Sequence, residues 1–155
     1  MTEISARKRI WGWWFFDWAS QPFNTLLLTF IFGPYFASVV AESLSQQGMT
    51  SDAAKAQAQA YWGYGLTISG IFIAVLAPIL GAIADSSGKR MRWVWVFSVM
   101  YVLGAWMLWY TEPGAFDVTT TLFFFGVGLI GMEFATIFTN AMLPTLGPQE
   151  DLGEI

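Results

Sequence analysis

Long apolar runs separated by short polar stretches make up most of this chain. A transmembrane helix needs about 20 apolar residues, and four runs approach or exceed that length. They cover approximately residues 11–41, 61–84, 93–110 and 118–143. The pattern predicts an all-α membrane protein with four transmembrane helices.

Prolines and glycines divide these runs. Pro22 and Pro34 lie inside the first one, and each removes a backbone donor and favours a kink. The link between the third and fourth runs contains Pro113 and Gly114. The shortest link, between the second and third runs, combines an acid, a glycine and three cations, so the flanking helices are expected to reverse tightly.

Composition agrees with a bilayer as the surrounding medium. Hydrophobic residues make up 55% of the chain and charged residues 12%, about half the charge of a soluble domain. Cysteine and histidine are absent, which excludes disulfides, imidazole metal sites and a histidine base. We therefore expect no enzyme, no metal and no cofactor, and the net charge of −4 does not suggest nucleic acid.

The cations are sorted between the two ends of the predicted helices. Cytoplasmic loops retain Lys and Arg, and six cations lie on one side against one on the other. We therefore expect both termini in the cytoplasm and a multi-pass protein of the cell (inner) membrane. The six are Arg7, Lys8, Arg9, Lys89, Arg90 and Arg92, and the seventh is Lys55.

Two of the four predicted helices carry a line of polar side chains. The first has three at spacings i, i+4 and i+7, and the fourth has three at i, i+3 and i+7, so each set shares one helix face. We take both lines as candidates for contact with a substrate or a proton. They are Asp17, Gln21 and Asn24 on the first helix, and Glu133, Thr136 and Asn140 on the fourth.

These side chains also have plainer interpretations. An acid at the centre of a membrane helix is unfavourable by about 2.5–3.5 kcal/mol, so Glu133 either takes up a proton or binds a cation in a wet cavity, or is a protonated acid bonded to a neighbouring helix. Asp17 has the alternative of an ion pair or helix cap at the membrane boundary. Gln21 and Asn24 have the alternative of binding a carbonyl freed by Pro22.

The other two helices lack such lines. The second has small residues seven apart, which favours close helix packing, and the third is rich in tryptophan and typical of a lipid-facing outer helix. In the fourth, Gly126, Gly128 and Gly131 match the G-x-G-x-x-G dinucleotide pattern, but no strand precedes them. We interpret them as glycines of helix packing. The small residues of the second helix are Gly63, Gly70, Ala77 and Ala84.

The short link resembles a known family signature. Its residues, Gly81-x-x-Ala84-Asp85-x-x-Gly88-Lys89-Arg90, are similar to the loop between the second and third helices of the major facilitator superfamily. Ser86 departs from that pattern, because the family usually has Arg or Lys there, and this weakens any inferred charge relay. The segments 17–23 and 133–144 resemble the branch of vacuolar amino-acid effluxers of autophagy, and the second lacks the Arg of drug–proton antiporters.

The resemblance implies a twelve-helix fold of which residues 1–155 are a partial N-terminal half. Helices one and four would line its central cavity, and the remaining helices of the parent transporter would be partners, with the lipid bilayer, a small polar solute and protons. The loop residues Gly81, Asp85, Gly88, Lys89 and Arg90 would hold the cytoplasmic side closed. The plainer alternative is a loop that only fixes topology.

The functional hypothesis is therefore a fragment of a secondary transporter for a small polar solute, with amino acids as a candidate class, working by alternating access. The alternative is a self-contained four-span protein that acts as an oligomeric small exporter or as a structural subunit. An intramembrane enzyme ranks third because His, Cys and paired midplane acids are absent.

Overall fold

The computed structural model describes residues 5–113 and 117–146, apart from the side chains at positions 6, 85, 87 and 145. Every regular element in these ranges is helical. They are α1 (Ala6–Pro22), a π-helical segment (Phe23–Phe30), α2 (Phe32–Gln46), α3 (Ser51–Ser87), α4 (Arg90–Met107), a 3₁₀ turn (Leu108–Tyr110), α5 (Val118–Asn140) and a second 3₁₀ turn (Leu143–Thr145).

Four helical stretches are long and apolar enough to cross a membrane, so the prediction of an all-α membrane protein is confirmed. They are Arg7–Gln46, Ser51–Ala84, Arg90–Tyr110 and Val118–Asn140, and we call them the first to fourth spans. At about 1.5 Å per residue, the 34 residues of the second span measure about 51 Å. This exceeds a hydrocarbon layer of about 30 Å, so the helix continues beyond the bilayer.

The first span is interrupted in its middle. α1 ends at Pro22, which has no N–H to donate, and the following turns are wider. The backbone N–H of Ile31 donates to the carbonyl of Leu26, five residues back, at 2.8 Å, and the Thr29 hydroxyl donates to the carbonyl of Asn24 at 2.8 Å. Pro34 lies in the first turn of α2, where a missing donor is harmless. The regular α-helix of the first span is therefore interrupted after Pro22 and resumes in α2.

The closest helix packing joins α4 and α5. A side chain at Gly104 would collide with the backbone of Gly128, and a Cβ at Gly131 would lie 2.6 Å from the backbone nitrogen of Tyr101. Gly126 and Gly128 are also closely approached, by the Ser69 hydroxyl and the Phe23 ring. The interpretation of the G-x-G-x-x-G match as helix-packing glycine is confirmed.

Aromatic rings join the first, second and fourth spans. The ring of Phe125 lies 4.5 Å from the ring of Trp62, 5.7 Å from that of Phe23 and 6.1 Å from that of Phe32, measured between centroids. All four side chains are buried. Burying a large apolar side chain stabilises a fold by about 1.5–3 kcal/mol in water, and inside a bilayer the gain comes from packing instead.

The small residues of the second span behave unequally. Ala84 is buried and Ala77 packs against the same cluster, whereas a Cβ at Gly63 or Gly70 would meet nothing within 4 Å among the described residues. The glycine half of the predicted close-packing face is thus open in the described part of the chain. The third span exposes Trp95, Trp106 and Trp109, as expected for a helix that faces lipid.

Candidate functional site: the polar lines of the first and fourth spans

The two polar lines meet at one sulfur atom. The Asn24 side-chain amide donates to the Sδ of Met132 over 3.7 Å, and the Thr136 hydroxyl donates to the same sulfur over 3.8 Å. A thioether is a weak acceptor, so the amide and hydroxyl keep most of their capacity for a stronger partner. The structure therefore brings one member of each line together.

The first and fourth spans run antiparallel, which sets the depth of the other candidates. Phe32 stacks on Phe125, whereas Asn24, eight residues earlier, contacts Met132, seven residues later. At about 1.5 Å per residue, Glu133 lies near the depth of Asn24. Asp17 lies about 10 Å nearer the N-terminal end, close to the depth of Asn140.

Glu133 occupies a face of α5 between two contacts. Gly126, seven residues earlier on almost the same face, meets the Ser69 hydroxyl of α3, and the neighbouring Met132 contacts Asn24 of the first span. The Glu133 side chain is half-buried. Among the described residues it has no hydrogen-bond or ion-pair partner, so the interpretation of an acid bonded to a neighbouring helix is not realised there.

The remaining candidates are less enclosed. Asp17 is half-buried, and its backbone carbonyl accepts a bond from the Ser20 hydroxyl at 2.8 Å. Gln21 and Asn140 are exposed. Residues 5–113 and 117–146 supply no ion pair for Asp17 and no bond from Gln21 to a carbonyl freed by Pro22, so those alternatives are also not realised.

In the described part of the chain, the contact between the first and fourth spans is apolar. Phe23, Phe125 and Met132 belong to one buried apolar cluster that joins the two spans. A cavity of about 690 Å³ lies between α2, α3 and the N-terminal half of α5. Its lining contains none of the six candidates. We therefore define the candidate site by Asn24, Glu133 and Thr136.

The short link forms a tight turn that is tied to the fourth span. Gly88 follows α3 with φ of +61°, a left-handed conformation that favours glycine. The Arg90 guanidinium then donates to the carbonyl of Ala141 at 2.9 Å, at the C-terminal end of α5. The side chain of Asp85 lies outside the described residues, and a Cβ at Gly81 would meet no described atom within 4 Å.

Two contacts of the candidate site and the short link could not be predicted from the sequence. Met132 joins the polar lines, yet a methionine in an apolar helix carries no signal in sequence. The bond from Arg90 to Ala141 has a weak signal, because α5 has no basic residue in its last turn and the end of a helix attracts cations. Only the fold shows which cation supplies the charge.

Replacing Arg90 with Gln should destabilise the chain by about 1 kcal/mol, because a charged donor to the end of α5 is lost. Arg92→Gln is the control, since Arg92 is an exposed cation two residues further along the chain. Unfolding of both variants in detergent measures the difference. Equal stability of the two variants would show that the bond to Ala141 contributes nothing.

The helices and the lengths of the spans define a multi-pass all-α membrane protein. The chain belongs to the family described as vacuole effluxer Atg22 like, whose model matches residues 5–152. It is also 31% identical over 139 residues to an uncharacterized MFS-type transporter, YxiO, of Bacillus subtilis (strain 168). The match covers 90% of this chain and 30% of the relative. No solved structure matches the chain.

Proposed function

We propose that this chain forms the first four helices of a twelve-helix secondary transporter, and that Asn24, Glu133 and Thr136 line its path for a small polar solute. The observation that carries the proposal is the convergence of Asn24 and Thr136 on the sulfur of Met132. The chain spans 30% of the length of the transporter it resembles, which is near one third of a twelve-helix protein.

The exposure of the polar lines supports a wet path beside them. Gln21 and Asn140 are exposed within the first and fourth spans. An amide that faces lipid tails without a hydrogen bond is unfavourable by several kcal/mol. Water or further helices of the same protein would remove that penalty, and a transport cavity supplies both.

The side chains at this site suit a solute with charged and hydrogen-bonding groups. Asn24 offers an amide, Thr136 a hydroxyl, and the half-buried Glu133 a carboxyl that has no partner among the described residues. The amide and the hydroxyl each offer a donor and an acceptor, so together they can bond the carboxylate and the amino group of an amino acid. We therefore propose amino acids as the solute class, with a proton on Glu133 coupled to transport.

The cation-rich end of the bundle suits a cytoplasmic gate of the cell membrane, with both chain termini on that side. The bond from Arg90 to Ala141 is exposed, so it can break and form as two halves of a transporter rock against each other in alternating access. In this proposal the link from Gly81 to Arg90 takes part in closing the cytoplasmic side.

Uptake or efflux of labelled amino acids by cells that produce the intact protein tests the proposal. We expect transport of at least one amino acid, and we expect an ionophore that collapses the proton gradient to remove accumulation. Asn24→Leu should lower the rate of transport at least about tenfold, because an apolar side chain cannot replace the hydrogen bonds of the Asn24 amide group. Thr25→Leu, exposed on the next position of the same helix, is the matched control.

A four-span oligomer remains the second candidate, because the glycines of the second span leave an open face. A Cβ at Gly63 or Gly70 would meet no described atom within 4 Å, and faces of small residues join helices in membranes. A stable homo-oligomer in detergent whose assembly is lost in Gly70→Leu, together with no solute transport, would favour this candidate over the transporter.

A further inference from the structure

A second cavity lies at the cation-rich end of the bundle, away from the polar lines. Its volume is about 450 Å³, and it lies where α1, the start of α4 and the end of α5 meet. Most of its lining is apolar, but two cations lie at its margin. The lining residues used below are Lys8, Arg9, Gly12, Trp13, Phe16 and Val94.

The position of the two cations favours the binding of an anion. Lys8 and Arg9 lie in the first turn of α1, which contains no acidic residue, and the N-cap Ser5 makes no side-chain capping bond. The N-terminus of a helix carries a partial positive charge, so cations there are unfavourable and an anion is stabilised. In the described part of the chain neither cation has an ion-pair partner.

The same cavity contains a buried donor without an acceptor. The indole Nε1–H of Trp13 is buried and has no hydrogen-bond partner among the described atoms, although Trp13 lines the cavity. Leaving a buried donor unpaired is unfavourable, and buried donors in proteins nearly always have a partner. The N–H is enclosed in the described structure, so the Trp13 ring must turn for this donor to meet an acceptor in the cavity.

We propose that this cavity binds an anionic phospholipid. The phosphodiester accepts bonds from Lys8 and Arg9, and from the indole N–H of Trp13 once that ring turns toward the cavity. The first carbons of an acyl chain lie along Phe16 and Val94. Basic pockets between membrane helices on the cytoplasmic side suit lipid headgroups, and the apolar lining suits a lipid better than a soluble anion. This site is separate from the proposed solute path.

The test uses the full chain in lipid nanodiscs that contain phosphatidylglycerol and phosphatidylcholine, with the retained lipids counted by native mass spectrometry. We expect the unaltered chain to retain phosphatidylglycerol selectively. In the double variant Lys8→Gln, Arg9→Gln, the ratio of retained phosphatidylglycerol to phosphatidylcholine should fall at least about tenfold, because each cation normally attracts anionic lipid. The control Arg7→Gln, Lys55→Gln removes the same charge from residues that do not line the cavity and should retain it.

A third variant blocks the cavity without changing its charge. Gly12 lines it, and a Cβ there would meet nothing within 4 Å, so Gly12→Leu fills the space without a backbone collision. We expect this variant to lose phosphatidylglycerol and to fold normally by circular dichroism. Equal retention by all variants overturns the proposal, and so does release of the bound lipid by millimolar inorganic phosphate, which would identify a soluble anion as the ligand.

Discussion

Replacing Glu133 with Gln is expected to remove proton-driven accumulation of solute by the intact protein. The ratio of solute concentrations across the membrane should fall about 5- to 150-fold, which is the usual range of coupling between two ligands. Glutamine keeps the size of a protonated glutamic acid, with one acceptor and a donor, but cannot gain or lose a proton. The half-buried Glu133 at the depth of Asn24 is the described acid best placed to couple a proton to the solute.

The assay separates coupling from binding. Exchange of labelled for unlabelled solute across the membrane needs no net proton movement, so Glu133→Gln should retain exchange while it loses accumulation. Glu112→Gln is the control, because Glu112 is an exposed acid in the link before the fourth span. Normal accumulation by Glu133→Gln would remove this carboxyl from the coupling mechanism.

The second large effect concerns stability. Gly104→Ala should destabilise the chain by about 1–3 kcal/mol, because the added carbon collides with the backbone of Gly128 and neither helix can yield without losing other contacts. Elsewhere in a helix the same change is favourable by about 0.5–1 kcal/mol. The sign of the effect therefore reports how closely α4 and α5 approach.

Gly70→Ala provides the opposite case, since a Cβ at Gly70 meets nothing within 4 Å. It should leave stability unchanged or raise it. Thermal unfolding of both variants in the same detergent gives the comparison. A Gly104→Ala protein as stable as Gly70→Ala would mean that α4 and α5 are farther apart than the structure has them.

The fold was predictable from sequence where a single helix determines the outcome. Span length and apolar content gave the four helices, and Gly88 marked the turn after α3, because left-handed backbone there favours glycine. The pairing of helices was not predictable in the same way. The closest packing joins Gly104 to Gly128. The sequence pattern had indicated Gly128 and the small residues of the second span as packing positions, but spacing reveals a face and not its partner.

The candidate site was predictable only as two lines of side chains. Helical spacing put Asn24 and Thr136 on their lines, but the contact that joins them runs through Met132, an apolar residue without a sequence signal. The π-helical segment that follows Pro22 was also missed, because it depends on five-residue backbone bonds such as that from Ile31 to Leu26. A proline indicates a kink but not the form of the turns after it.

Cysteine labelling most directly tests the central claim that the two polar lines border one water-filled path. The chain contains no cysteine, so Gln21→Cys and Asn140→Cys each add a single thiol to it. Val102→Cys is the control, because Val102 is exposed on α4 beside Tyr101, which abuts Gly131 at the depth of Glu133.

The measurement is the rate at which a membrane-impermeant, thiol-specific reagent labels each variant of the intact protein in its membrane. Thiols react as thiolates, which need water. We predict that Gln21→Cys and Asn140→Cys react at least about tenfold faster than Val102→Cys, and that transported solute slows them. If both positions are labelled as slowly as Val102→Cys, the polar lines face lipid and do not border a water-filled path.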